Sequence, residues 1–123
     1  MNASEMIKNL NEWIVIGDVI TEGKYAKKIL NKFNEKGYKV IGVHPKGGEG
    51  VFKEIDAVPF KPKAVDLCIN PVSGFKYIKK LPLLGIKNVL IQPGASSDEI
   101  INFCKENDIN LVEDCALVQL NKL

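Results

Sequence analysis

Four apolar runs in this chain stop at residues suited to touching a ligand. "WIVIG" leads into Gly17-Asp18-Val19 and "YKVIGV" into His44-Pro45-Lys46. "AVDLCIN" ends at Asn70-Pro71, and "KNVLIQ" at Gln92-Pro93-Gly94. Glycine lets the backbone approach a ligand closely, and proline stiffens an exit without offering an N–H. Loops in general contain Gly, Pro and Asn. Four such exits at one edge of a sheet nevertheless form the kind of crevice in which open α/β sheets hold ligands.

The residue types narrow the ligand. A dinucleotide-binding turn would read G-x-G-x-x-G after the first strand. Here the turn is "GDVITEGK", with Gly17 and Gly23 but no glycine between them. An NAD site also wants an acidic residue at the end of the second strand, where this chain has His44-Pro45-Lys46. A cation there suits a phosphorylated ribose, as in NADP or the 3′-phosphate-bearing adenosine of coenzyme A. Without the dinucleotide fingerprint, coenzyme A is the better candidate. All 17 basic residues are lysine, so phosphate must be met by lysine and backbone N–H groups rather than by an arginine fork.

Other reactive side chains offer less. His44 is the only histidine, which excludes a histidine-based metal cluster and leaves a catalytic base without a partner; it reads as a contact residue. Cys68, mid-strand, and Cys104, on an apolar helix face, read as small buried hydrophobes. Cys115 follows the last strand and is the cysteine expected to reach the ligand edge. A mixed disulfide with a thiol ligand is open to it, slowed by the flanking carboxylates of Glu113 and Asp114. Three cysteines with no C-x-x-C spacing suggest neither a disulfide framework nor a zinc site.

The elements that must position these residues alternate along the chain. Strands are expected at 13–17, 38–43, 64–70, 87–92 and 109–113. A helix follows the first strand, with Tyr25, Ala26, Ile29, Leu30 and Phe33 on one face, and ends at Gly37. Residues 44–64, punctuated by Pro45, Gly47, Gly48, Gly50, Pro59 and Pro62, form a long crossover with a short helical turn near 53–56. "VSGFKYIKKL" runs helical until Pro82 interrupts it. Ser96 and Glu99 are spaced as a capping box for the helix that follows. A short leading helix over 4–11 would pack on Trp13, and Lys27-Lys28 and Lys79-Lys80 read as solvated faces. The pattern predicts a Rossmann-like, doubly wound parallel sheet of about five strands, α/β in class, in a single domain over 1–123.

Composition excludes several classes of function. With 46% hydrophobic and 26% charged residues and a net charge of +2, the chain lacks the lopsided basic balance of a nucleic-acid binder. No apolar run reaches the ~18 residues of a membrane helix. The polar N-terminus and free cysteines fit a cytoplasmic protein.

Several blocks carry a resemblance. "IVIG" (14–17), "GYKVIGVHP" (37–45), "VDLCINP" (65–71), "NVLIQPGA" (88–95) and "DCALVQL" (114–120) run in order across nearly the whole chain. They resemble the small CoA-binding domain proteins, whose Rossmann-like fold is shared with the N-terminal domain of the succinyl-CoA synthetase alpha subunit. The resemblance implies that the turn after Gly17 binds phosphate, that the second-strand exit contacts the adenosine, and that the third and fourth exits line the site. Tyr25 and Cys115, whose block often carries cysteine in that family, join the contacts. The chain departs at Val19, where the family has a small hydroxyl residue. Asp18 and Glu22 also place negative charge near the pyrophosphate, with Lys24 to compensate. The expected function is non-covalent binding of coenzyme A or an acyl-CoA without catalytic machinery. The alternatives are a subunit of a multi-chain acyl-CoA synthetase-like enzyme and an NADP-dependent reductase domain.

Overall fold

The computed structural model describes residues 1–123. Its six strands pair in parallel throughout. β1 (Glu12–Gly17), β2 (Lys39–Val43), β3 (Val51–Phe52), β4 (Ala64–Cys68), β5 (Asn88–Ile91) and β6 (Asn110–Glu113) lie in the order β3-β2-β1-β4-β5-β6. This is the doubly wound arrangement, and its strand order reverses between β1 and β4.

The strands are apolar on both sides because both faces are covered. Along β1, Ile14 and Ile16 face one cluster while Trp13 and Val15 face the other, all fully buried. The second cluster holds Ala3, Met6 and Ile7 of α1 (Ala3–Asn9), Ala26, Ile29 and Phe33 of α2 (Tyr25–Glu35), and Ala116 and Leu120 of α6 (Ala116–Asn121). Trp13 packs there on α1 as expected, its Nε1 donating to the Leu10 carbonyl at 2.8 Å. The opposite face is closed by α3 (Pro71–Ile78), α4 (Leu81–Leu84) and α5 (Asp98–Glu106) through Ile78, Leu81 and Ile100. No helix is long and apolar enough to cross a membrane.

The structure adds a strand to the expected five. β3 is two residues long, too short to show a period, and lies inside the segment read as a crossover. The helical turn that follows is at Ile55–Ala57, slightly later than expected. The predicted capping box does not form, because the cap lies one residue later and its N3 position is Ile100, which has no side-chain acceptor. Ser97, not Ser96, caps α5, its Oγ accepting from the Ile100 N–H at 3.2 Å.

Two polar side chains are buried, Gln92 just beyond β5 and Asp66 within the sheet. Asp66 sits mid-β4, in register between Val15 and Leu90, fully buried, and neither carboxyl oxygen has a hydrogen-bond partner. Burial pushes its carboxyl well above the usual carboxylate range.

Candidate ligand-binding site

The four strand exits meet at the C-terminal edge of the sheet, astride the β1/β4 reversal. Gly17 ends β1 where no side chain fits: a Cβ there would drive into the Cys68 carbonyl oxygen and stand 2.9 Å from the Ala26 Cβ. The absence of a side chain thus lets β1, β4 and the start of α2 converge.

The turn beyond Gly17 is not an open phosphate cradle. Asp18 Oδ1 accepts from the backbone N–H groups of Ile20 at 3.1 Å and Thr21 at 2.9 Å. The Thr21 backbone bond leads the causes that bring this carboxyl down to about 2, with His44 nearby contributing least. Val19 turns inward, is 2% exposed, and packs on Gly42. Its side chain is therefore turned away from the exit, which leaves its backbone as the part that could meet a ligand. What remains for an anion is the first turn of α2, which no side chain caps, together with exposed Lys24 at its N-cap.

At the β2 exit, His44 Nδ1 accepts from the Lys46 N–H at 3.2 Å and so shapes its own turn. Lys46 is exposed. Lys53 lies against the same turn, since a Cβ on Gly47 would come 3.0 Å from its Cγ. Beside Pro45 opens a cavity of about 400 Å³ that Lys53, Ser73, Lys76 and Lys80 line. Lys80 is ion-paired to Glu54, whose hydrogen bond raises its pKa. The spacing of Lys79-Lys80 predicts a plain solvated face and carries no signal of this cavity, on which the structure places Lys80.

At the β4 exit, Asn70 caps α3. Its Oδ1 accepts from the Ser73 N–H at 2.9 Å, and Pro71 fills the first helical turn, where a missing N–H is harmless. Asn70 and Gly94 share a second cavity of about 300 Å³ with Cys68, Gln92 and Pro93. A third, of about 430 Å³, lies on the other side of Gln92 and Pro93 and is lined also by Tyr25, Cys68, Cys115 and Val118. Gln92 forms a wall of both, and its Oε1 accepts from the Ala116 N–H at 2.8 Å.

Two expectations change here. Tyr25 does not join the buried face of α2; it is 59% exposed and stands at the mouth of the third cavity. Cys68 is not sealed in the strand. β4 ends at Cys68 rather than Asn70, so the thiol is half-buried and faces the same cavity as Cys115. Burial first, and then the Asp66 and Cys115 charges, push the Cys68 thiol up to about 12. Cys104 is buried as expected, and burial raises its thiol to about 11.

Cys68 thus shares the cavity with Cys115, but burial holds back its thiolate. Treatment with the disulfide of coenzyme A should modify Cys115, slowly and reversibly by reductant, and should spare Cys68 and Cys104. Peptide mapping decides the matter. Modification at Cys68 with Cys115 untouched would contradict this placement.

A parallel sheet of order β3-β2-β1-β4-β5-β6, with cavities strung along its C-terminal edge and lysines at one end, defines a Rossmann-like ligand-binding domain. The profile of the CoA binding domain family matches residues 11–121, and the chain belongs to that family. Solved structures share the fold. A hypothetical protein from Pyrococcus horikoshii OT3 matches with a TM-score of 0.89 at 21% identity, over 98% of this chain and 89% of that one. A conserved hypothetical protein from Pyrococcus furiosus gives 0.80 at 24% identity, over 89% and 98%. A Thermus thermophilus protein gives 0.84 at 21%, over 99% and 98%. No curated protein matches the chain.

Proposed function

We propose that this protein binds coenzyme A or an acyl-CoA non-covalently along the C-terminal edge of its sheet, without catalytic machinery of its own. The observation that carries the reading is family membership joined to the placement of charge. Lys53, Lys76 and the Lys80–Glu54 pair line the cavity beside Pro45, leaving a net positive wall, while the cavity at the β5 end is lined by no lysine or carboxylate. A polyanion with an uncharged tail fits that gradient. The adenosine lies at the β2 exit, the diphosphate near Lys24 and the first turn of α2, and the pantetheine arm runs toward Gln92. An NADP reductase is disfavoured by the first turn, which lacks the glycines of a dinucleotide fingerprint.

Calorimetric titration tests this directly. Coenzyme A should bind more tightly than its form lacking the 3′-phosphate, by roughly 1.5–3 kcal/mol if the phosphate meets a charged partner. Lys46 and Lys53 flank the turn where it would sit. Lys46→Ala should remove most of the preference, and the double variant with Lys53→Ala should remove all of it. Equal binding of the two ligands by the unmodified protein would overturn the assignment of this end of the site.

A further inference from the structure

Gln92 is almost fully buried, with 6% of its surface exposed, yet its amide keeps an unused donor. The Ala116 N–H fixes the orientation of the side chain. It must meet Oε1, because a flipped amide would set donor against donor. Nε2 is therefore the free end: it meets no acceptor of the protein and, unlike the Asp66 oxygens, is not sealed from solvent. Gln92 walls the second and third cavities; on the third, which α6 lines through Val118, its free N–H would serve a carbonyl-type oxygen.

The rest of that cavity is weakly polar. The Tyr25 ring, Pro93 and Val118 supply apolar surface, and Cys68 and Cys115 supply thiols. None of the residues lining it is a lysine or a carboxylate. A carboxylate placed there would lose water without gaining a cation. Position fits as well. From β2 to β5 is three interstrand spacings, roughly 14 Å, so a ligand anchored by its adenosine at the β2 exit brings its far end over β5.

Resting on the coenzyme A reading, we propose that this cavity is an acyl subsite. The preferred ligand is a thioester of coenzyme A with a short, uncharged acyl chain. Its carbonyl oxygen accepts from Gln92 Nε2, and its hydrocarbon lies against Tyr25, Pro93 and Val118.

Calorimetry with four ligands tests it: coenzyme A, butyryl-CoA, the thioether S-butyl-CoA, which lacks the carbonyl, and glutaryl-CoA, which ends in a carboxylate. Burial of one methylene is worth roughly fourfold in affinity. Butyryl-CoA should bind about tenfold or more tighter than coenzyme A, with S-butyl-CoA between them and glutaryl-CoA no better than coenzyme A. Gln92→Glu keeps an oxygen for the Ala116 N–H but replaces the donor, so the thioester should lose its advantage over the thioether. Val118→Asp, at a position 49% exposed and tolerant in folding, should cut the butyryl advantage at least threefold. If coenzyme A binds and butyryl-CoA binds equally or more weakly, the acyl subsite is refuted while the coenzyme A reading stands. If none of the four binds, both fall.

Discussion

Replacing Asp66 by asparagine should make the protein more stable at pH 7, and the gain should vanish in acid. Asp66 is a carboxyl group in a fully apolar layer, with neither oxygen hydrogen-bonded. Its folded pKa lies well above the unfolded value. Stability from the protonated form is complete below the unfolded pKa and is lost as pH rises toward the folded one. Over that window the unfolded state releases a proton that the folded state keeps. Stability therefore falls by about 1.4 kcal/mol per pH unit on account of this one group. Asparagine has nearly the same shape and no proton to release. Urea unfolding of the two proteins should give similar stabilities near pH 3.5. As the pH is raised toward 7 a gap should open and widen in favour of Asp66→Asn. A difference that does not depend on pH would show that Asp66 finds a charged or hydrogen-bonding partner.

Gly17→Ala should do the opposite, and should damage fold and site together. The added methyl meets the Cys68 backbone carbonyl, and that carbonyl is held by the β1–β4 register pairing Gly17 with Cys68. Ala26 closes the other side. No flexible side chain can move away, so the strands or α2 must shift. Overpacking of this kind costs about 1–3 kcal/mol when side chains can yield, and a backbone obstacle puts the cost at the upper end or beyond. The same shift would displace the first turn of α2 and the Cys68 edge, so coenzyme A affinity should fall with stability. Gly23→Ala is the contrasting variant. A Cβ at Gly23 meets nothing within 4 Å, and only the positive φ of 88° opposes it. A melting temperature for Gly17→Ala no lower than that of Gly23→Ala would contradict the close approach.

The contrast between Asp66 and Gly17 also shows what the sequence made legible. Five strands announced themselves because buried parallel strands are written as continuous Val/Ile/Leu runs, and the strand exits followed from where those runs stop. β3 stayed hidden because two residues carry no period. The apolar run predicts a β4 two residues too long, since Ile69 continues it after pairing has ceased, and a strand of that length makes Cys68 a core thiol rather than the edge thiol it is. Asp66 was visible as a polar residue inside "AVDLCIN", a signal of strain that periodicity passes over. The cavities were not legible at all. Tyr25 comes from α2, Gln92 from the end of β5 and Val118 from α6, and only the packed fold shows that they share a wall. The α5 cap illustrates the limit of spacing. Both Ser96 and Ser97 precede the helix, and the backbone, extended at Ser97, makes the choice.

Native mass spectrometry under competition tests the central claim most directly. The protein is mixed with equimolar coenzyme A, NAD and NADP and sprayed under conditions that keep non-covalent complexes intact. The account predicts one bound coenzyme A per chain, retained after reductant has removed any mixed disulfide, and no nicotinamide dinucleotide. A bound NADP, or a chain that stays empty while folded, would contradict it.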